Sequence, residues 1–506
     1  MTRNCIGVGS RKQVFLDERF IARSEGIRLK VNPPLERREV LRGDRPWDRG
    51  WIGWLTVLED EGVYKMWYLA APESTVEEID SGKVFRVCYA VSEDGVNWRK
   101  PELGLVEYEG SRRNNIVCIE GLPGGSPEGS VFLDPKAPPE QRYKMLVVLN
   151  SKLSTGKPDP EKDGIYLAYS HDGLSWQVHE KRLLPFLPDT ENEILYDPDS
   201  GKYVAYLRAW APLRKVVRVE IENLLEPWKY DHSVKNLMLW GKDSLPPPGY
   251  EFPVALSYDD FDPPQTDIYN PAVFHYPWAQ DAWYAFPSVY RHFPEPPLGP
   301  CVNDGLLEIQ LAVSRDGVRF QRPDRTPYIP LGVEGTWHAG QMYMGVGMIR
   351  RGDRLLQYYI ASDVSHSGYR CPKPLPIVDI SRVFVAVQLL DRFVGIQAPD
   401  EGWLLTPPLR FSGNELELNI DCGATGEALV EIDDANGVPI QGFSLDESDR
   451  VRGNHLRKKV SWRNGKTDVS ALAEQPIRLR IRMRSAKLYA FQFLAGPTVG
   501  RETIEI

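Results

Sequence analysis

A short phrase recurs along the chain and limits its possible folds more than any other feature. It reads Tyr89-Ala90-Val91-Ser92-Glu93-Asp94-Gly95-Val96-Asn97-Trp98, then Leu167-Ala168-Tyr169-Ser170-His171-Asp172-Gly173-Leu174-Ser175-Trp176. A third copy is Leu311-Ala312-Val313-Ser314-Arg315-Asp316-Gly317-Val318-Arg319-Phe320. Each copy is a strand running into a tight turn: Asp-Gly supplies the positive-φ position, Ser bonds back to the turn backbone, and the aromatic residue covers the hairpin. Degenerate copies fall around residues 216–228 and 385–393. The phrase is structural, and no catalysis is placed in it.

A second phrase, a strand rich in aromatic residues, precedes each copy. Its first residues are Tyr64, Tyr143, Tyr203, Trp283 and Leu355, at intervals of 60–80 residues. Five units of similar size, built from short strands and turn signals, predict a five-bladed β-propeller. Gly and Pro, 42 of each, are spread without a collagen-like period, which suits many short elements. No segment keeps a 3.6-residue apolar period over several turns, so helix is expected to be scarce.

After about residue 400 the pattern changes. Residues 416–420, 428–432, 477–482 and 487–493 largely alternate apolar and polar side chains, with Asn436-Gly437 and Asn464-Gly465 turns between them. That is the pattern of antiparallel strands with one buried face. The expected organisation is all-β: a propeller over residues 1–400 followed by a β-sandwich over 401–506, which either buttresses the propeller or binds carbohydrate.

Charge and composition narrow the function. A net charge of −9 argues against nucleic acid, whose binders cluster Lys and Arg. No apolar run approaches 18 residues and the N-terminus lacks a secretory h-region, so the reading is a soluble cytoplasmic protein with no membrane partner. The six cysteines show no CxxC pair, and no motif calls for a metal or cofactor. Phosphate loops, HExxH and GxSxG are absent. Aromatic residues reach 11%, with 14 Trp and 23 Tyr, and flat rings suit stacking on sugars as well as blade packing.

A propeller gathers side chains from the starts of its innermost strands around a central funnel. The segments in those positions carry Asp48, Glu128, Glu191 with Glu193, and Asp267, so four of five units deliver a carboxylate. Two carboxyl groups flanking a glycosidic oxygen can serve as acid and as base or nucleophile, and crowding raises the pKa of one of them. These five are the candidate catalytic residues. Trp47, Tyr269 and Trp337 are candidate stacking walls, and Asn192, Asn270, His338 and His366 are candidate sugar ligands. Arg208, deep on a strand of the third unit, is expected to pair with a funnel carboxylate, because a buried guanidinium without a partner is costly.

Several phrases carry a resemblance. Val14-Phe15-Leu16-Asp17, Arg45-Pro46-Trp47-Asp48, the Tyr-Ala-Val-Ser-x-Asp-Gly-x-x-Trp phrase, Phe132-Leu133-Asp134-Pro135 with Arg142-Tyr143-Lys144-Met145, and Leu488-Tyr489-Ala490-Phe491 resemble bacterial glycoside hydrolases. Those are similar to the five-bladed propeller furanosidases, the superfamily of invertases, levanases and arabinanases. The resemblance runs over nearly the whole chain, including a C-terminal sandwich. It implies a base or nucleophile on the first blade, a stabilising carboxylate on the second and an acid Glu on the third, which by position are Asp48, Glu128 and Glu191 or Glu193. The invertase signatures Trp-Met-Asn-Asp-Pro-Asn-Gly, Arg-Asp-Pro and Glu-Cys are absent, so the assignment rests on position. The expected function is a glycoside hydrolase acting on an oligosaccharide or glycoside. The alternatives are a non-catalytic carbohydrate-binding propeller and a glycoside phosphorylase, the latter requiring basic groups such as Arg208, Arg291 and His338 beside the acid.

Overall fold

The computed structural model describes residues 5–121, 125–126, 129–151, 157, 159, 161–210, 213–229, 252–294, 303–370 and 374–495, with 125, 126 and 210 as backbone only. The strand-rich units fold as five antiparallel sheets. The first is Trp51–Asp60, Val63–Ala71 and Arg86–Ser92. The second is Val131–Leu133, Tyr143–Leu149, Gly164–Ser170 and Ser175–Val178, with Cys118–Glu120 added in parallel outside. The third is Glu193–Asp197, Lys202–Trp210, Arg214–Ile221 and Val254–Leu256.

The fourth sheet is split across its width. Its first position holds Thr266–Ile268 and Val273–His275, its second Trp283–Ala285 and Ser288–His292, its third Gly305–Ile309 and Ala312–Ser314. Pro271 and Pro287 lie in the first two breaks, where a missing N–H interrupts the ladder. The fifth sheet is Gln341–Met344, Arg354–Ser362 and Arg382–Leu389, and its outermost strand is Glu36–Arg42, from before the first blade. The chain thus closes the propeller with a strand from the opposite end of its sequence.

The innermost strands join in a ring. Thr56 Oγ1 accepts from the Val131 N–H at 3.0 Å. The Ser130 N–H donates to the Asn192 carbonyl at 3.2 Å. Glu193 Oε1 accepts from the Val273 N–H, and Asn270 Nδ2 donates to the Met344 carbonyl at 3.2 Å. The Val346 N–H donates to the Leu55 carbonyl at 2.8 Å, which returns the circuit to the first blade.

The recurring phrase links blades at the periphery. Ser92 Oγ accepts from the Gly95 N–H and Asp94 Oδ1 from Val96 and Asn97, the local bonding the sequence predicts. The turn carbonyl then takes a donor from the neighbouring blade: Tyr358 Oη to Gly95, Trp67 Nε1 to Gly173, and Tyr206 Oη to Gly317, at 2.6–2.7 Å.

The second unit begins at Val394–Leu405 and is not confined to the C-terminal part of the chain. Ile6–Gly9, Gln13–Val14, Arg23–Glu25 and Arg28–Val31 pair with its strands, so the expected 1–400/401–506 division becomes a discontinuous one. Its long strand Ile477–Leu494 pairs with Val394–Leu405, Glu415–Asp421 and Glu427–Asp434. Phe15, Phe20, Phe411, Trp462, Phe491 and Phe493 fill the core it shares with the N-terminal strands. Val76–Asp80 is a five-residue α-helical turn, and among the described residues no helix is long and apolar enough to cross a membrane.

Gly173 has φ +78°, and a Cβ there would lie 2.6 Å from the Trp67 ring. Gly62 has φ +76° with open space around it. Gly62→Ala is therefore expected to cost about 1 kcal/mol of backbone strain, and Gly173→Ala roughly 2–4 kcal/mol, because its Cβ also pushes on the Trp67 ring that bonds the Gly173 carbonyl. Chemical denaturation of the two variants measures the difference, and equal losses would show that the Trp67 contact between blades adds nothing.

Candidate active site

At the mouth of the ring lies a cavity of about 530 Å³, walled by all five blades and the turns above them. The first blade contributes Trp51 and Trp54. A bulge between Gly53 and Leu55, with Trp54 at φ +34°, turns the second indole toward the fifth blade, where it meets Tyr343 edge-on at 5.1 Å. The aromatic surface continues through Tyr343 to Tyr269, 5.3 Å between centroids, and from Tyr269 to His366, also 5.3 Å.

Among the described residues the carboxyl groups in this wall are those of Asp80 and Asp189, and each faces an arginine. Asp80 ends the short helix and pairs with Arg370 at 2.6 Å. Asp189 pairs with Arg208, whose side chain is wholly buried and whose Nε donates to the Pro188 carbonyl at 3.1 Å. The expected partnership of Arg208 with a funnel carboxylate is thus present, although Asp189 was not among the candidates. Asp189 and Thr190 have φ +42° and +88°, a left-handed pair that is costly for two non-glycine residues, one of them β-branched. Strain at this turn holds the Asp189 side chain 42% exposed at the cavity while Glu191, two residues on, is buried.

Tyr269 and His366, two of the candidate ligands, are in the wall. His366 Nε2 lies 3.1 Å from Tyr269 Oη, and its Nδ1 lies 3.3 Å from the Asn303 carbonyl. A carbonyl only accepts, so Nδ1 carries the proton and Nε2 accepts from the phenol. Burial, reinforced by the charge of Arg214, pushes the His366 pKa down to about 3, so the ring is neutral.

Other candidates have different roles. Asp267 lies beneath the wall, bonded to the Arg214 guanidinium and to His292 Nε2 at 2.9 Å. Burial alone would raise its carboxyl, but the His292 hydrogen bond and the Arg214 charge outweigh it and hold Asp267 below the usual carboxylate range. Asn192 and Asn270 belong to the ring: their side-chain oxygens accept from the Arg208 N–H at 2.9 Å and the Ser288 N–H at 3.1 Å.

Glu191 and Glu193 also sit in the ring, outside the cavity wall. Oε2 of Glu193 has no hydrogen-bond partner among the described residues, and the Leu55 N–H is set against the Glu191 carboxyl. Burial first and Glu193 second push the Glu191 carboxyl well above the ordinary range, and burial pushes Glu193 up to about 8.

Four candidates fall away from the cavity. Asp48 is buried in the flank of the first blade, where Lys100 at 2.6 Å, Tyr68 at 3.0 Å and the Arg45 N–H at 2.8 Å occupy its oxygens. Trp47 donates to Asn115 Oδ1 at 2.7 Å in the same network. His338 packs on Phe384 and bonds Tyr359 Oη at 2.7 Å, and Trp337 lies under Arg382. Glu128 lies outside the described residues.

Sequence reasoning missed Asp189, Arg214, Asp80 and Arg370. Asp189 opens the very segment that supplied Glu191 and Glu193, and only the strained turn distinguishes it. Asp80 and Arg370 are separated by 290 residues and carry no local signal.

No family model matches the chain, and no curated protein is significantly similar. Some solved structures show low similarity. One is described as a glycoside hydrolase family 43 arabinoxylan arabinofuranohydrolase from Bacillus subtilis, at 11% identity over 89% of this chain and 97% of that one, TM-score 0.35. Another is a thermostable family-43 glycoside hydrolase, at 14% identity over 70% and 94%, TM-score 0.39. A third is described under a GH130 family of mannoside phosphorylases containing glycoside hydrolases that target β-1,2 mannosidic linkages, at 15% identity over 74% and 96%, TM-score 0.41.

The raised Glu193 carboxyl has a consequence for stability. Below its ordinary pKa of 4.5 folded and unfolded chains both hold the proton; between there and about 8 only the folded chain does. Stability attributable to this group therefore falls as pH rises through that window, on the order of 1.4 kcal/mol per pH unit. Glu193→Gln keeps an oxygen for the Val273 N–H and has no proton to lose. Urea melts at about pH 5 and pH 8 should show the variant gaining on the parent by a few kcal/mol, and parallel pH slopes would contradict the assignment.

Proposed function

We propose that this protein is a glycoside hydrolase that holds its sugar in the cavity at the propeller mouth. The observation that carries the reading is the combination in one cavity of aromatic faces from three blades and an exposed carboxylate, Asp189, held on a strained turn by a buried arginine. Its volume falls within the roughly 300–1,000 Å³ of small-molecule sites. Trp51, Trp54 and Tyr343 offer rings to the C–H faces of a sugar, and Gln341 and Asn150 offer amides to its hydroxyls. Asp189, facing Arg208, is suited to orient and deprotonate water or to attack the anomeric carbon, a role that the first blade leaves unfilled because Asp48 is enclosed. The four free thiols among the described cysteines fit a reducing compartment, and we place the protein in the cytoplasm.

A second reading, a carbohydrate-binding propeller without catalysis, is favoured by one observation: Asp48 and Asp267 are both locked in ion pairs. A phosphorylase fits less well. The arginines at the cavity each face an aspartate, Arg208 with Asp189, Arg214 with Asp267 and Arg370 with Asp80, so they bring little surplus positive charge for a phosphate dianion.

Product release from a panel of furanosides and pyranosides, with and without phosphate, tests the proposal beside Asp189→Asn. Cleavage in the absence of phosphate that falls by about 100-fold or more in the variant, with sugar binding retained, is the expected result. An Asp189→Asn protein as active as the parent would remove Asp189 from the chemistry. Binding without cleavage by the parent would favour the second reading.

A further inference from the structure

Among the described residues the carboxyl groups in the cavity wall are those of Asp80 and Asp189, each held in an ion pair. Asp80 pairs with Arg370 and Asp189 with Arg208. The protonated carboxyls, Glu191 and Glu193, are sealed in the ring beneath, with no exposed oxygen through which to reach a bound substrate. Departure of an alcohol from a glycosidic bond requires a proton on its oxygen unless the alcohol is itself a strong acid.

We infer that the proton donor is Tyr269, making it a catalytic residue of the glycosidase reading on which this assignment rests. Tyr269 lines the cavity. Its hydroxyl is aligned by His366, whose Nε2 accepts from it at 3.1 Å while Nδ1 is held by the Asn303 carbonyl. Two guanidinium groups stand against the ring, Arg208 at 4.7 Å and Arg214 at 5.1 Å from its centroid, and Arg208 also interacts with the phenol oxygen. The negative charge left on Oη after proton transfer would therefore form next to two fixed cations. Arg208 touches Asp189 as well, so one buried side chain positions both the base and the acid.

The step balances as follows. Tyr269 turns its hydroxyl from His366 Nε2 to the glycosidic oxygen and gives it the proton, the bond from that oxygen to the anomeric carbon breaks, and its electron pair leaves with the alcohol. Water adds to the anomeric carbon and loses a proton to Asp189. That proton returns through solvent to the Tyr269 phenolate. The net reaction is glycoside plus water giving sugar plus alcohol.

Leaving-group dependence separates an acid from a residue that merely binds, since 2,4-dinitrophenolate departs without protonation and methanol does not. For whichever sugar of the panel the parent cleaves, the 2,4-dinitrophenyl and methyl glycosides would be compared in Tyr269→Phe, with circular dichroism confirming the fold. A loss of roughly 100-fold or more in kcat on the methyl glycoside, against less than about tenfold on the dinitrophenyl glycoside, is expected. Equal losses on both would overturn the assignment and leave the glycosidase standing. The same comparison on Glu191→Gln separates the two possible donors: a leaving-group dependence that follows Glu191 instead of Tyr269 also overturns it. A parent that binds the sugars of the panel and cleaves neither class of glycoside would overturn the assignment together with the glycosidase reading.

Discussion

Thr56, Ser130, Asn192, Glu193, Asn270 and Val346 hold the innermost strands of five blades to one another, and the rest of the molecule depends on that ring. A blade alone is a small sheet with two exposed edges, and it becomes stable only when its neighbours cover its faces. The ring fixes five strand starts around one axis, which brings Trp54, Asp189, Tyr269 and Tyr343 to a common cavity despite a spread of nearly 290 residues. Closure is reinforced outside by aromatic donors reaching the Asp-Gly turns of the next blade, and by the strand Glu36–Arg42 completing the last one.

The ring is also why the buried carboxyls are not at the cavity surface. Glu193 spends one oxygen on the Val273 N–H that joins two blades, and Glu191 is enclosed beside it. Their charge is disfavoured by burial, so they act as neutral groups inside the structure. The cavity above is organised differently, by pairs of opposite charge and by rings. Arg208 links the two layers: its backbone N–H bonds the ring residue Asn192, and its guanidinium reaches Asp189 and Tyr269.

The propeller was legible because its signals are local. A Ser-x-Asp-Gly turn needs only its own four residues to form, and its repetition implies blades. The closing strand Glu36–Arg42 was not legible, since its charged residues alternate with nothing that names a partner 350 residues away. The N-terminal share of the sandwich was hidden for the same reason. At the site, the region was readable and the roles were not. Arg208 declared itself because a buried guanidinium needs a counterion, Tyr269 because it lies in a funnel segment, and His366 as a loop histidine of the fifth unit. Asp48 misled because position alone cannot show that Lys100, from a later loop, covers it. Trp337 and His338 precede the inner strand Gln341–Met344 by only a few residues, yet they pack against the flank.

The central claim is that a sugar enters the cavity at the propeller mouth. Trp51 and Trp54 stand in its wall, so intrinsic fluorescence reports on occupancy. Titrating the parent and a Trp54→Phe variant with the same panel of sugars tests the claim most directly. The account predicts a saturable change in emission for at least one sugar, with affinity weakened in the variant. Sugars that bind by calorimetry with no change in emission, and with equal affinity for both proteins, would place the binding site elsewhere and contradict it.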